Sequence, residues 1–185
     1  MGGSLNQTTM VHRIAGELAE HECFFTTFYA DGLLRLGAEA GLLGFTILGG
    51  RPRATSAAFL REQGARIDPR GAGGGWDLVV TTSDLVVPRN LRGVPMVLVQ
   101  EGMTDPEDWR YRLARMTGLP RWIANTSMTG LSHAYEAFCV ASEGYRDLFV
   151  RKGVSPERIA VTGIPNFDDC ASFLRNDFPH HGYVL

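Results

Sequence analysis

Two polar residues follow an apolar run near the middle of the chain. Residues 77–82 (DLVVTT) have the composition of a buried strand, and Ser83 and Asp84 come directly after it. In open α/β sheets, ligands collect outside the carboxyl ends of the strands, so we expect Ser83 to bind substrate there. Asp84 is a candidate general acid or base for a substrate in that cleft. The alternative is that Asp84 caps the N-terminus of a helix.

A second apolar run, residues 95–100 (PMVLVQ), also ends in polar residues. Gln100 is its last residue, and Glu101 and Gly102 follow. A carboxylate at the end of an apolar strand is costly to bury unless it has a partner. Glu101 is therefore the leading catalytic candidate, as an acid or base or as a ligand of a substrate hydroxyl, with Gln100 and Gly102 as substrate-binding neighbours. The alternative for Glu101 is a structural salt bridge with a nearby arginine.

The first nine residues form a third candidate binding segment. Two glycines precede a run of small polar residues, and a helix is expected to begin at Thr8 or Thr9. Glycines let a ligand approach the backbone, and the free amides of a helix start favour an anion such as a phosphate or carboxylate. The GxGxxG fingerprint is absent, so a structural turn is an equally good interpretation. The binding interpretation predicts substrate contacts from Gly3, Ser4, Asn6, Gln7 and Thr8.

Apolar runs alternate with helical patterns along the chain. Most of these runs are continuously apolar, as strands are when both faces of a parallel sheet are covered. The alternation predicts an α/β fold with a doubly wound, Rossmann-like, mostly parallel sheet. The predicted strands are residues 23–29, 44–48, 77–82, 95–100, 137–142 and 158–162. The predicted helices are residues 9–21, 31–41, 54–63, 106–117, 144–152 and 167–175.

Composition and charge limit the partners. The chain has 185 residues, 44% of them hydrophobic, which is enough for one full domain or for one domain and a fragment. Its formal net charge of -2 removes the general attraction to phosphate backbones, so no nucleic acid partner is expected. No apolar run approaches the roughly 18 residues that a membrane span needs, and no export signal is recognisable. These features predict a cytoplasmic protein.

The cysteines and histidines show no pattern of metal ligands. Cys23, Cys139 and Cys170 are odd in number and stand in apolar surroundings, so we expect buried free thiols. No pair of histidines has ligand spacing with a third partner, and no metal site is predicted.

Aromatic and basic residues interleave in residues 109–115 (WRYRLAR) and again at Arg121 and Trp122. Such a helix could lie on an anionic membrane surface, which would make the protein membrane-peripheral. The preferred interpretation is a solvated basic face whose aromatic side chains pack inward.

Residues 137–168 (AFCVASEGYRDLFVRKGVSPERIAVTGIPNFD) resemble the end of the first domain in GT-B glycosyltransferases and in UDP-N-acetylglucosamine 2-epimerases. In those families a strand, a helix, a phrase of the form G-x-x-P-E-R-I-x-V-T-G and a short N-P-N-F-D-like segment lead to the interdomain cleft. The resemblance covers residues 1–175 and is weak before Trp76. It implies that Gly163, Pro165 and Asn166 lie beside the substrate.

The resemblance also implies roles for the two carboxylates. The epimerase strand that ends in a catalytic aspartate is similar to the strand before Asp84, which would give Asp84 that role. The epimerase glutamate of a V-E-A-G strand end falls on Gln100, with Glu101 one position later, and this departure disfavours epimerase chemistry. In glycosyltransferases, Gln100, Glu101 and Gly102 would line the acceptor side of the cleft.

A two-domain enzyme is the organisation that the resemblance implies. Residues 1–175 would form the Rossmann-like, acceptor-side domain, and residues 176–185 a linker and the start of a C-terminal domain that binds the nucleotide-sugar. We expect truncation, because the first loop lacks a preceding strand and the last residues begin a new one.

The implied function is transfer of a sugar or related group from a nucleotide-activated donor to an acceptor hydroxyl, with no cofactor, and this half alone is expected to be inactive. Its partners would be the nucleotide-sugar, the acceptor and its own C-terminal domain. The alternatives are an isomerase like UDP-N-acetylglucosamine 2-epimerase and a non-catalytic binding module.

Overall fold

The computed structural model describes residues 1–42, 50–174, 179, 180 and 182. Five α-helices lie in this part of the chain: α1 (Leu5–Glu17), α2 (Gly32–Glu39), α3 (Gly50–Glu62), α4 (Trp109–Thr117) and α5 (Glu143–Lys152). The six strands are β1 (Phe24–Phe25), β2 (Arg66–Ile67), β3 (Val79–Thr81), β4 (Met96–Val99), β5 (Ala137–Val140) and β6 (Ile159–Val161). The predicted strand 44–48 and most of the predicted linker 176–185 lie outside the described residues.

All described strand pairs are parallel, as predicted. β1 pairs with β2, and a second sheet has the order β3-β4-β5-β6. The register pairs Val79 with Met96, Val97 with Ala137 and Phe138 with Ile159. Because every strand of the second sheet runs in one direction, the segments that follow β3, β4, β5 and β6 meet at the same edge of the sheet. We call it the C-terminal edge.

Helices cover both faces of the larger sheet. On one face, Leu98 and Phe138 pack in a core that includes Tyr111 of α4 and Phe149 of α5. On the other face, Val99 packs against Met10 of α1. The buried side chains explain why β4 is continuously apolar. The α/β class and the parallel sheet are therefore confirmed, and the arrangement is consistent with a Rossmann-like fold.

Helix α1 packs against both sheets. Its Met10 contributes to the core over the larger sheet, while Val11 packs with Phe25 of β1 and Leu60 of α3. The N-terminal backbone lies between the sheets, because the Met1 amino group donates to the carbonyl of Val80 and the Gly2 amide to that of Thr26, at 3.2 Å. The start of α1 is thus fixed relative to the ends of the strands.

The boundaries of several helices follow local chemistry. Ser142 caps α5 by accepting a hydrogen bond from the Tyr145 amide, and Gly153 ends the helix in the left-handed conformation with a φ of 106°. The predicted helix 167–175 is instead a 3-10 helix, Pro165–Leu174. None of the helices in the described part of the chain combines the length and the apolar character that crossing a bilayer requires.

The three cysteines are free, but the expectation that all are buried is wrong. Cys23 and Cys139 are half-buried, and Cys170 is exposed on the 3-10 helix that follows β6.

Candidate functional site

The carboxylate of Glu101 lies just after β4 and receives three hydrogen bonds from the N-terminal segment. Gln7 Nε2 donates to Oε2 at 2.6 Å, Asn6 Nδ2 donates to Oε1 at 3.0 Å, and Ser4 Oγ donates to Oε1 at 3.3 Å. We call these four residues the Glu101 cluster. The structure therefore brings together two groups of residues that the sequence analysis treated as separate candidates. Among the described residues, Glu101 forms no salt bridge with an arginine.

The start of α1 orients the amide and hydroxyl groups of the cluster. Ser4 is the N-cap and accepts a hydrogen bond from the Gln7 amide at 3.1 Å. In return, Gln7 Oε1 accepts from the amides of Gly3 at 2.7 Å and Ser4 at 3.3 Å. This capping box starts the helix at Leu5, earlier than the predicted start, and leaves the Gln7 NH2 group to face Glu101. The anion expected at the helix start is thus a carboxylate of the chain itself.

Thr8 and the glycines shape the loop rather than face an open site. Thr8 is buried, and its hydroxyl donates to the carbonyls of Gly2 and Ser4. A Cβ atom on Gly2 would lie 2.8 Å from the Thr8 amide nitrogen, so only glycine fits. Gly3 is buried, and its backbone amide donates a hydrogen bond to Gln7 Oε1. Of the predicted loop contacts, Ser4, Asn6 and Gln7 reach Glu101, whereas Gly3 and Thr8 hold the loop in place.

Gln100 connects the ends of two strands. Its buried side chain accepts a hydrogen bond from the Ala141 amide at 2.9 Å and donates to the Gly102 carbonyl at 2.7 Å. Both ends of this amide are therefore engaged with backbone, and Gln100 positions the turn that carries Glu101. A Cβ atom added to Gly102 would have no neighbour within 4 Å, so there is open space beside the turn.

The segment after β6 reaches the same edge. Gly163 follows the strand with a φ of 84°, and the Pro165 carbonyl accepts from Arg13 of α1 at 3.2 Å. Asn166 Nδ2 donates to Oδ1 of Asn6 at 2.6 Å. Asn6 thus joins Asn166 to Glu101. The segment that carries the family resemblance therefore contacts the Glu101 cluster.

Two buried hydroxyl groups near this edge have no hydrogen-bond partner among the described residues. They belong to Tyr29 and Thr82. Burial is the largest cause of a raised pKa for Tyr29; the Ser83 hydroxyl lowers this pKa, and the charge of Glu101 raises it. Tyr29 is therefore within electrostatic reach of Ser83 and Glu101, although its hydroxyl is not in hydrogen-bonding geometry. Leaving a buried polar group unpaired costs about 1–3 kcal/mol, and both hydroxyls are closed off from the surface in this structure.

Tyr29 is not among the residues that the sequence predicts for the site. It ends the apolar run 23–29, which predicts a strand. The only available signal was a phenol at a strand end, which is weak without knowledge of the sheet.

Asp84 lies apart from the Glu101 cluster and is fully buried. Its Oδ1 accepts from the Gly130 amide and its Oδ2 from the Ser132 amide, each at 3.0 Å. No α-helix begins at Asp84, because the next element is the short 3-10 turn Arg89–Leu91. With both oxygens bonded to backbone amides, the carboxylate holds the loop at residues 130–132, and the geometry favours this structural role over proton transfer.

A cavity of about 560 Å³ lies elsewhere, between β1 and β3. It is lined mainly by residues 20–26 and 76–80, so its walls are the facing edges of the two sheets. The Glu101 cluster does not line it. We place the candidate site at the C-terminal edge because several polar side chains converge there on one carboxylate.

The side chains at this edge suit a hydroxyl-bearing ligand. They are amides and hydroxyls around a single carboxylate, and no three His, Cys, Asp or Glu side chains of the described residues are grouped as metal ligands. Comparisons of the chain with protein-family models, with curated proteins and with solved structures give no match.

Proposed function

We propose that this chain is the acceptor-side half of a GT-B type glycosyltransferase, in which Glu101 binds the acceptor hydroxyl. The observation that carries the proposal is the orientation of the Glu101 carboxylate by three side-chain donors just after a parallel strand. The carboxyl ends of such strands are where open α/β sheets bind ligands. The same proposal includes a nucleotide-sugar donor and a C-terminal domain that binds it, with residues 176–185 as the linker to that domain. It also includes a cytoplasmic location.

The charge of the cluster selects the chemical group that binds. The N-terminus of α1 favours an anion, but Glu101 already lies there. A phosphate beside it would face a like charge, whereas a hydroxyl can donate a hydrogen bond to the carboxylate. An ionised carboxylate offers about four acceptor positions. Three are used by Ser4, Asn6 and Gln7, and one is left for a ligand.

Glycosyl transfer requires the acceptor hydroxyl to lose its proton. The acceptor oxygen forms a bond to the anomeric carbon, the nucleoside diphosphate leaves with the electron pair of the broken bond, and the acceptor hydroxyl loses its proton. Glu101 would accept this proton, a role that contributes about 10²–10⁴-fold to a rate.

The family resemblance supports the same interpretation. Residues 137–168 form β5, α5, β6 and the start of the following 3-10 helix, in the order that the resemblance implies. Asn166 at the end of this segment contacts Asn6. Gln100, which stands where the epimerases have a glutamate, has both ends of its amide bonded to backbone, which favours a transferase over an epimerase.

Ligand-observed NMR with N-acetylglucosamine, a neutral hydroxylated probe, tests the proposal. Saturation transfer is measured for the wild-type chain, for Glu101→Ala, and for Asp147→Ala, which removes an exposed carboxylate of α5 as a control. A hydrogen bond to a charged group contributes about 1.5–3 kcal/mol, so Glu101→Ala should weaken binding by about 10- to 150-fold. The control should bind as the wild type does, and pyrophosphate should not compete.

Two outcomes would contradict the proposal: unchanged affinity of Glu101→Ala, or displacement of the sugar by pyrophosphate. The epimerase alternative is tested with the protein that includes the C-terminal domain. Proton NMR of that protein with UDP-N-acetylglucosamine reports on isomerisation, because formation of the manno epimer would favour the epimerase alternative.

A further inference from the structure

Helix α4 is apolar on two opposite sides. Tyr111 and Ala114 are buried in the core, whereas Trp109, Leu113 and Met116 are 68%, 40% and 86% exposed. At about 100° per residue, the three exposed side chains lie within about 60° of one another and opposite the buried pair. The preferred expectation that the aromatic side chains pack inward is therefore wrong for Trp109. We call Trp109, Leu113 and Met116 the outer stripe of α4.

The exposed apolar surface continues beyond the helix. Gly118 ends α4 in the left-handed conformation, and the chain turns into the 3-10 helix Arg121–Met128, which packs against α4. Leu119 and Trp122 are 39% and 40% exposed. Apolar side chains that face water in this number, on adjoining elements, mark a surface for binding.

Positive charge lies beside the outer stripe. Residues 109–122 contain four arginines and no acidic residue, in a chain with a net charge of -2. Arg121 is turned inward, where it donates to the Asp84 carbonyl at 3.3 Å, so the arginines of α4 supply the charge beside the stripe. On the helix, Arg110 and Arg112 lie on either side of the stripe, and Arg115 lies further round, towards the buried Tyr111. Three acidic residues, Asp105, Glu107 and Asp108, lie just before the helix: Asp105 accepts from Thr126, Asp108 caps α4 and pairs with Arg110, and Glu107 is exposed.

We propose that the outer stripe of α4 binds an anionic lipid bilayer. The helix would lie in the plane of the interface, with Trp109, Leu113 and Met116 at the boundary between headgroups and acyl chains. Tryptophan is enriched at this depth, and arginines on both flanks can reach lipid phosphates while their stems cover apolar surface. A narrow apolar stripe with Arg110 on one side and Arg112 on the other fits a lipid surface better than a protein groove. The proposal rests on α4 and its surroundings and is independent of the proposed function.

Vesicle flotation at low salt tests the proposal with the full chain. One set of vesicles is pure phosphatidylcholine, and the other is an equal mixture of phosphatidylcholine and phosphatidylglycerol. The wild-type chain should float with the anionic vesicles, should remain unbound with the neutral ones, and should dissociate as salt is raised. The fluorescence of Trp109 and Trp122 should shift to shorter wavelength on binding.

Paired variants identify the surface involved. The double variant Arg112→Glu with Arg115→Glu should bind about 30-fold more weakly or worse, because each basic residue near an anionic bilayer contributes about 1 kcal/mol. The double variant Trp109→Ser with Met116→Ser should also lose binding. All four side chains are exposed, so the thermal unfolding temperature should change little.

Matched controls alter equally exposed residues elsewhere. Leu33→Ser with Leu36→Ser removes two exposed leucines of α2, and Arg51→Glu with Arg61→Glu reverses two exposed arginines of α3. The α2 variant should bind as the wild type does, and the α3 variant should lose much less than the α4 variant. Absence of vesicle binding, equal binding to neutral vesicles, or equal losses in the α4 variants and these controls would overturn the proposal.

Discussion

Replacing Asp84 tests whether this carboxylate holds the loop at residues 130–132. Its two oxygens accept hydrogen bonds from the amides of Gly130 and Ser132, both at 3.0 Å. Asp84→Ala removes both acceptors inside a fully buried site. An amide left unpaired there costs about 1–3 kcal/mol, so the free energy of unfolding should fall by about 2–5 kcal/mol. Asp84→Asn keeps one acceptor oxygen but turns an NH2 group towards the other backbone N–H, so it should cost about as much as Asp84→Ala.

Urea unfolding followed by circular dichroism measures these losses. With a denaturant slope of about 2 kcal/mol per molar urea, Asp84→Ala should lower the midpoint by about 1 to 2.5 M. Asp147→Ala, on the exposed surface of α5, serves as the control and should shift the midpoint little. Hydrogen exchange at the amides of Gly130 and Ser132 should accelerate in Asp84→Ala. A midpoint equal to that of the control, with both amides still protected, would refute the structural role of Asp84.

Three further predictions concern single residues. Gly130→Ala should cost about 2–4 kcal/mol in urea unfolding, because φ is 83° and a Cβ atom would lie 2.9 Å from the Phe138 ring, whereas Gly118→Ala, with open space, should cost about 1 kcal/mol. Burial raises the pKa of Tyr29 above its ordinary value of 10.0, so its contribution to stability is complete below pH 10 and is lost as the pH rises towards the raised pKa; Tyr29→Phe should flatten the alkaline fall in unfolding free energy by about 1.4 kcal/mol per pH unit. Of the three thiols, the exposed Cys170 should react first with a thiol reagent, and Cys170→Ser should remove the fast phase.

Most of the larger sheet could be predicted because the central strands are largely covered on both faces. β3, β4 and β5 each fall within a predicted apolar run, since burial on both faces leaves a continuous apolar pattern. β6 also falls within a predicted run, although its Ala160 and Val161 are exposed. β2 was not predicted because its two residues, Arg66 and Ile67, carry no periodic signal. The sequence predicts that Trp109 packs inward, but its side chain is exposed. The composition of a helix with two apolar sides is the same as that of a helix that buries all its aromatic side chains.

The candidate site was predictable residue by residue but not as a unit. Glu101 follows an apolar strand, and this position alone identifies it as a chemical candidate. Its partners Ser4, Asn6 and Gln7 were predicted as a separate anion-binding loop, because contacts between residues more than 90 positions apart leave no local trace. Asp84 has the same sequence context as Glu101, and only burial and its two amide partners distinguish their roles.

Protein-observed NMR with N-acetylglucosamine tests the central claim most directly, because it reports where on the fold the sugar binds. If the Glu101 cluster is the site, titration should shift the backbone amides of Gly102, Asn6 and Asn166, and Glu101→Ala should abolish these shifts. Shifts confined to residues 20–26 and 76–80 would instead place the ligand in the cavity between β1 and β3 and contradict the account.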